Sequence, residues 1–317
     1  MTLVVVVPAP AHSDPEGDPG GGAAVEGRAG GDARRQDSGA RRPGWRARVG
    51  RGLGAGKTDP AQRVVNSLIS SVRAVRGRVP GPEQITVLDL AEAANRPPDG
   101  AASAREVSSE AARLATEVLR WWWNAATRIG QVEGQPAEDA ADFDVDAAVR
   151  GLGASPYFGG SAELPLLEAR MLGRYLTDQK FRHEARDRTQ SAIGPAARVV
   201  VGHGLGALVA YEALCALGDS ASVTLVTLSA PMCGSDEVFT RLEPAPRSGQ
   251  GHWPAAVRRW FNIVADSDPT AMAAPQLTDR FGPGIEDEII EIRSGSGDIY
   301  PYLLDRATGR AVAAGLA

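Results

Sequence analysis

Apolar and polar positions along this chain alternate between short buried runs and longer helical stretches. Leu3-Val4-Val5-Val6-Val7 opens it with β-branched residues and no polar break, as a strand covered on both faces requires. Thr58-Asp59-Pro60 then supplies an N-cap followed by proline in the first turn. Val64, Val65, Leu68, Ile69 and Val72 recur behind it at helical spacing, which predicts a helix to about 76. Residues 84–90 read as a second buried strand and 104–126 as a long helix carrying Trp121-Trp122-Trp123. Three adjacent tryptophans point around a helix, so at least one belongs to the core. Acidic, alanine-rich loop sequence follows, then helices at 164–176 and 178–193. Further strands are expected at 197–202, 222–228, 260–265 and 288–292. Strands alternating with helices imply an α/β fold, a mainly parallel central sheet flanked by helices on both faces, with sites at its carboxyl edge.

The tract 11–57 interrupts this pattern. It is rich in Gly, Pro, Asp and Arg and nearly empty of large apolar residues, so it reads as a disordered insertion within one 317-residue domain. Arg34, Arg35, Arg41, Arg42, Arg46, Arg48 and Arg51 make its second half basic, which fits a solvated loop or an electrostatic tether. Over the whole chain 34 Lys and Arg stand against 39 Asp and Glu, and no nucleic-acid preference follows. Lys57 and Lys180 are the only lysines, and arginine with many alanines and glycines suggests a GC-rich bacterial genome. Cys215 in a helical pattern and Cys233 in a loop argue against a disulfide framework and for a reducing cytoplasm. No segment has the apolar length of a membrane span, and the short apolar start lacks a signal peptide's basic region. His12, His183 and His252 lack metal-ligand spacing, and no cofactor is expected.

The chemistry-bearing motif is Gly202-His203-Gly204-Leu205-Gly206, between the run Val199-Val200-Val201 and the apolar stretch Leu208-Val209-Ala210-Tyr211-Glu212-Ala213-Leu214. Strand, glycine-flanked turn and helix are the parts of a G-x-S-x-G nucleophile elbow, but glycine stands at the apex. Together with Val223-Thr224-Leu225-Val226-Thr227-Leu228-Ser229-Ala230-Pro231, Trp260-Phe261-Asn262 leading to Asp266-Ser267-Asp268-Pro269, and Tyr302-Leu303 ahead of a helix, the motif resembles the α/β-hydrolase superfamily. The likeness is to bacterial serine esterases and lipases, over the last third to half of the chain plus the first strand.

That resemblance implies a nucleophile at Gly204, where serine is missing, an acid at Asp268, and a histidine near Gly297, where none occurs after His252. Leu205 and Ala9 are the implied oxyanion donors, since Pro8 and Pro10 have no N–H; Gly202, His203 and Gly206 support the elbow. Glycine at the apex also removes the positive-φ strain that a serine would carry. Helices between 104 and 193 would form a lid-like region. The expected function is that of an inactive hydrolase relative that binds a small molecule or a protein partner. One alternative is an active ester or amide hydrolase with displaced groups, Ser229 or Cys233 as nucleophile and His203 or His252 as base. Another is nucleotide binding through Gly52-Leu53-Gly54-Ala55-Gly56-Lys57-Thr58, which misses the first P-loop glycine at Arg51 and follows no strand.

Overall fold

The computed structural model describes residues 2–9, 59–90, 108–137, 143–269, 276–293, 295 and 297–317. Six strands form one parallel sheet: β1 (Val4–Val7), β2 (Ile85–Val87), β3 (Val199–His203), β4 (Val223–Leu228), β5 (Val257–Ala265) and β6 (Ile285–Ile290), in the order β2-β1-β3-β4-β5-β6. The chain begins at β1, steps outward to β2, then returns to the other side of β1 with β3. That reversal makes the carboxyl end of β1 and β3 a topological switch point, the place where open α/β sheets leave a crevice.

Alternation along the strands explains the two faces. Val4 and Val6 point into one core with Val199, Val201 and Val226, covered by α1 (Pro60–Ala74), α9 (Ile299–Leu304) and α10 (Arg306–Leu316). Val5 and Val7 point into the other with Val200 and Leu225. That face is covered by α2 (Ser109–Arg128), α3 (Val145–Ala154), α4 (Leu164–Thr177), α5 (Gln179–Ala192) and α6 (Leu205–Leu217). Two short helices, α7 (Asp236–Phe239) and α8 (Leu277–Phe281), complete the described α-helices. No described helix is long and apolar enough to cross a membrane.

Several boundaries differ from the expectations. β6 begins at Ile285, ahead of the expected 288–292, and β5 at Val257, ahead of the expected 260. β6 is the edge strand, bonded on one side only, so Glu286, Asp287 and Glu288 are tolerated and mask it as loop. α3 lies in what reads as loop sequence; Asp144 caps it by accepting from Ala147 N–H at 2.9 Å, and few residues, Ala148 and Leu152 among them, turn inward. The insertion 11–57, the P-loop-like segment 52–58, His12 and the expected helix start at 104–107 lie outside the described residues.

The tryptophan triplet divides as helix geometry requires. Trp122 is buried against Phe158, with ring centroids 5.7 Å apart. Trp121 lies where Gly234 leaves no room for a side chain, and Trp123 packs over Gly134 and Gly151 while donating from Nε1 to the Gln135 carbonyl at 3.0 Å.

Candidate functional site

At the end of β3 the chain turns into α6 through Gly204, whose φ of +53° and ψ of −127° lie in a region closed to ordinary side chains without strain. Its N–H donates to the Leu228 carbonyl at 3.0 Å, tying the turn to the end of β4. Gly202 and Gly206 permit the tight geometry. A Cβ on Gly202 would overlap Ala207 and one on Gly206 would overlap the Val7 carbonyl, so α6 can start this close to β1 and β3 only with glycine at both places. Gly204 itself is partly exposed, and among the described residues a Cβ there would meet a single neighbour within 4 Å, the Cβ of Ala9 at 3.3 Å. Gly204, Leu205 and Ala9 therefore come together at the switch point, with the start of the 13-residue helix α6 beside them.

Asp268 arrives from the turn after β5 and is completely buried. Its Oδ2 accepts from the hydroxyl of Ser229, at the end of β4, at 2.6 Å. Ser229 sits at φ +49°, and its N–H donates to the Ile263 carbonyl at 3.0 Å. The Ser229 Oγ lies 2.8 Å from the Tyr157 hydroxyl; with its own proton committed to Asp268, it accepts from the phenol. Ser229 is thereby held on both sides and is 1% exposed, which leaves it no approach to a substrate carbonyl. The other acid of this turn, Asp266, accepts from Ile292 N–H at 3.2 Å and fixes the segment after β6.

Gly297 follows β6, where the base was expected. Its N–H donates to the Tyr157 carbonyl at 2.7 Å, and a Cβ there would touch that carbonyl and the Tyr157 ring. Tyr157 thus fills the space beside Asp268 and Ser229. Burial first, and the Asp268 charge second, push its phenol well above the usual range, so it stays a neutral donor; the same causes raise Tyr302, whose hydroxyl accepts from Ala265 N–H at 3.2 Å. Glu168 of α4 is pushed up to about 8 by burial and by the charges of Asp268 and Asp298. Its side chain is only half-buried at the surface, and the shift favours the protonated acid.

The remaining candidates are three histidines and two cysteines. His203 is buried at the end of β3 with its ring 5.5 Å from that of Tyr302. His252 is exposed, its carbonyl accepting from Tyr211 about two turns along α6 from the apex, and His183 is an exposed partner of Asp187 on α5. Both thiols are free, and burial pushes Cys233 up to about 12, far from thiolate chemistry. Among the described residues no group of three or more His, Cys, Asp or Glu could hold a metal ion.

Two features escaped the sequence reading. Tyr157 and Phe158 lie in Pro156-Tyr157-Phe158-Gly159-Gly160, and an aromatic pair inside a glycine turn is the available signal that something buried is delivered there. Glu212 is a lone acid in the apolar helix α6, and it needs a partner; Arg182 meets it with two hydrogen bonds, joined by the Tyr175 hydroxyl at 2.8 Å and the Glu243 N–H at 3.0 Å. That cluster clamps α4 and α5 to the helix carrying the apex.

Comparison with protein-family models, with curated proteins and with solved structures returns no match.

Proposed function

We propose that this chain is a non-catalytic relative of the α/β-hydrolase superfamily, retaining the architecture of a serine esterase and serving in binding a small molecule or a protein partner. One observation carries the reading: Gly204 keeps a positive-φ apex conformation at a strand-to-helix turn yet offers no nucleophile. Acyl transfer by the usual route needs a hydroxyl there and an imidazole to take its proton. Tyr157 stands beside Gly297 instead, and a neutral phenol raised far above pH 7 is no general base. Asp268 supports the same reading, since its Oδ2 accepts from the Ser229 hydroxyl. The displaced alternatives gain nothing from the geometry, because Ser229 is sealed and Cys233 is held as a thiol.

A cytoplasmic, bacterial setting belongs to this proposal and rests on the two free thiols and the arginine-rich composition. The test is turnover of short- and medium-chain p-nitrophenyl esters by the natural protein and by Gly204→Ser. Neither should exceed the background rate, because the variant restores a hydroxyl without a base. Turnover by the natural protein would overturn the proposal, and rapid turnover by Gly204→Ser alone would reveal a base that the account omits.

A further inference from the structure

Tyr157 reaches the floor of the site from a turn, 155–160, whose backbone is closed by its own hydrogen bonds. Its ends are bonded to each other, Gly160 N–H to the Gly153 carbonyl at 3.0 Å, and inside it Gly159 N–H donates to the Ser155 carbonyl at 3.1 Å. Gly159 and Gly160, both exposed and at φ of +63° and +89°, end the turn in left-handed backbone free of side chains. Outward, the turn is held to the loop after β6 by two backbone bonds, Gly295 N–H to Pro156 at 2.8 Å and Gly297 N–H to Tyr157 at 2.7 Å, and to the floor by the phenol on Ser229. Phe158 adds apolar packing against Trp122.

The closed arrangement also leaves polar atoms unsatisfied. Ser155 Oγ at the base of the turn and Trp122 Nε1, whose ring packs on Phe158, are buried with no hydrogen-bond partner among the described residues, although their residues are 2% and 3% exposed. Buried groups of this kind favour any state that lets water reach them. Closure likewise seals a hydroxyl and a carboxylate, Ser229 and Asp268, next to the partly exposed Gly204, since Leu228 immediately before Ser229 accepts the Gly204 N–H. Glycine turn, unsatisfied atoms and a hydrophilic floor converge on the same segment.

We propose that the turn 155–160 is a strap over the site: it swings out as a unit between the end of α3 and Gly160, withdrawing Tyr157 and opening Ser229 and Asp268 as the polar floor of a cleft beside Gly204. Opening breaks the bonds from Gly295 and Gly297 together and leaves the sheet intact. The cleft so formed takes a ligand bearing a hydroxyl or N–H donor, the chemistry that the Tyr157 phenol supplies to Ser229 in the closed state. The floor is shared with the pseudohydrolase reading, but amide exchange involves no chemistry on substrate, so either can fail alone.

The test is residue-resolved amide hydrogen exchange on the natural protein and on Tyr157→Phe. In the natural protein Gly295 and Gly297 should exchange at one common opening rate, about a hundredfold or more faster than Val226 in the sheet. Tyr157→Phe removes one hydrogen bond from the closed state and should speed both amides about two- to tenfold without changing Val226. Protection of Gly295 and Gly297 equal to that of Val226, or exchange of the two amides at unrelated rates insensitive to Tyr157→Phe, would overturn the strap.

Discussion

Replacing Glu212 by leucine should cost the protein much of its stability, and the geometry sets the size. Glu212 is fully buried and its partner Arg182 is 3% exposed at the side chain. The substitution removes both Arg182 hydrogen bonds and leaves the Tyr175 hydroxyl and the Glu243 N–H without their acceptor. An uncompensated buried charge typically costs about 3–5 kcal/mol. Glu243 lies 3.1 Å from Arg182 Nη1 and is partly exposed, so some compensation survives and about 3 kcal/mol is expected. Arg182→Met combined with Glu212→Leu removes charge and countercharge together and should recover most of that loss, because apolar replacements of a buried pair are often close to neutral. Urea unfolding followed by tryptophan fluorescence measures both variants, with an unchanged m value required for the comparison. A cost below about 1 kcal/mol for Glu212→Leu, or a double variant less stable than the single one, would refute the claim that this pair clamps α5 to α6.

Gly206→Ala should destabilise severely, by about 3 kcal/mol or more, because its Cβ would enter the Val7 carbonyl; thermal melting beside Gly194→Ala, which meets nothing within 4 Å, measures the contrast. Glu168 gives a pH signature. Its folded value near 8 lies above the unfolded value near 4.5, so the folded state holds a proton that the unfolded state has released; stability therefore falls as pH rises between those values. Glu168→Gln should flatten that decline, and urea midpoints at pH 5, 7 and 8.5 would expose a slope that is absent or reversed. Cys233 should resist a thiol reagent at pH 8 in the folded protein and react once urea unfolds it; fast labelling of the native state at that residue would contradict its burial.

Legibility in the sequence followed the physics of each element. β1, β3 and β4 are buried on both faces, so continuous Val and Leu runs announce them, and the tight turn from β3 into α6 was readable because close approach of strand and helix demands Gly202 and Gly206 at fixed spacing. β6 was blurred because an edge strand with a partly solvated surface tolerates three consecutive acids. α3 was missed because a short helix capped by Asp144 buries too few residues to leave a period. At the site, Gly204 and Asp268 were legible as positions along strand ends. Tyr157 was not: it comes from a turn about 110 residues from Asp268 in sequence, and only the folded chain brings its phenol to Ser229. Glu212 could be seen as an anomaly in α6, but its partner Arg182 lies on a strongly polar helix where nothing marks one arginine from the next.

The most direct test of the proposal that this chain has no serine nucleophile is intact-protein mass after incubation with a fluorophosphonate probe, beside an active serine hydrolase as control. The account predicts an unmodified mass for this chain and full labelling of the control. A stoichiometric adduct, mapped to Ser229 or any other serine, would contradict it by revealing an activated nucleophile away from Gly204.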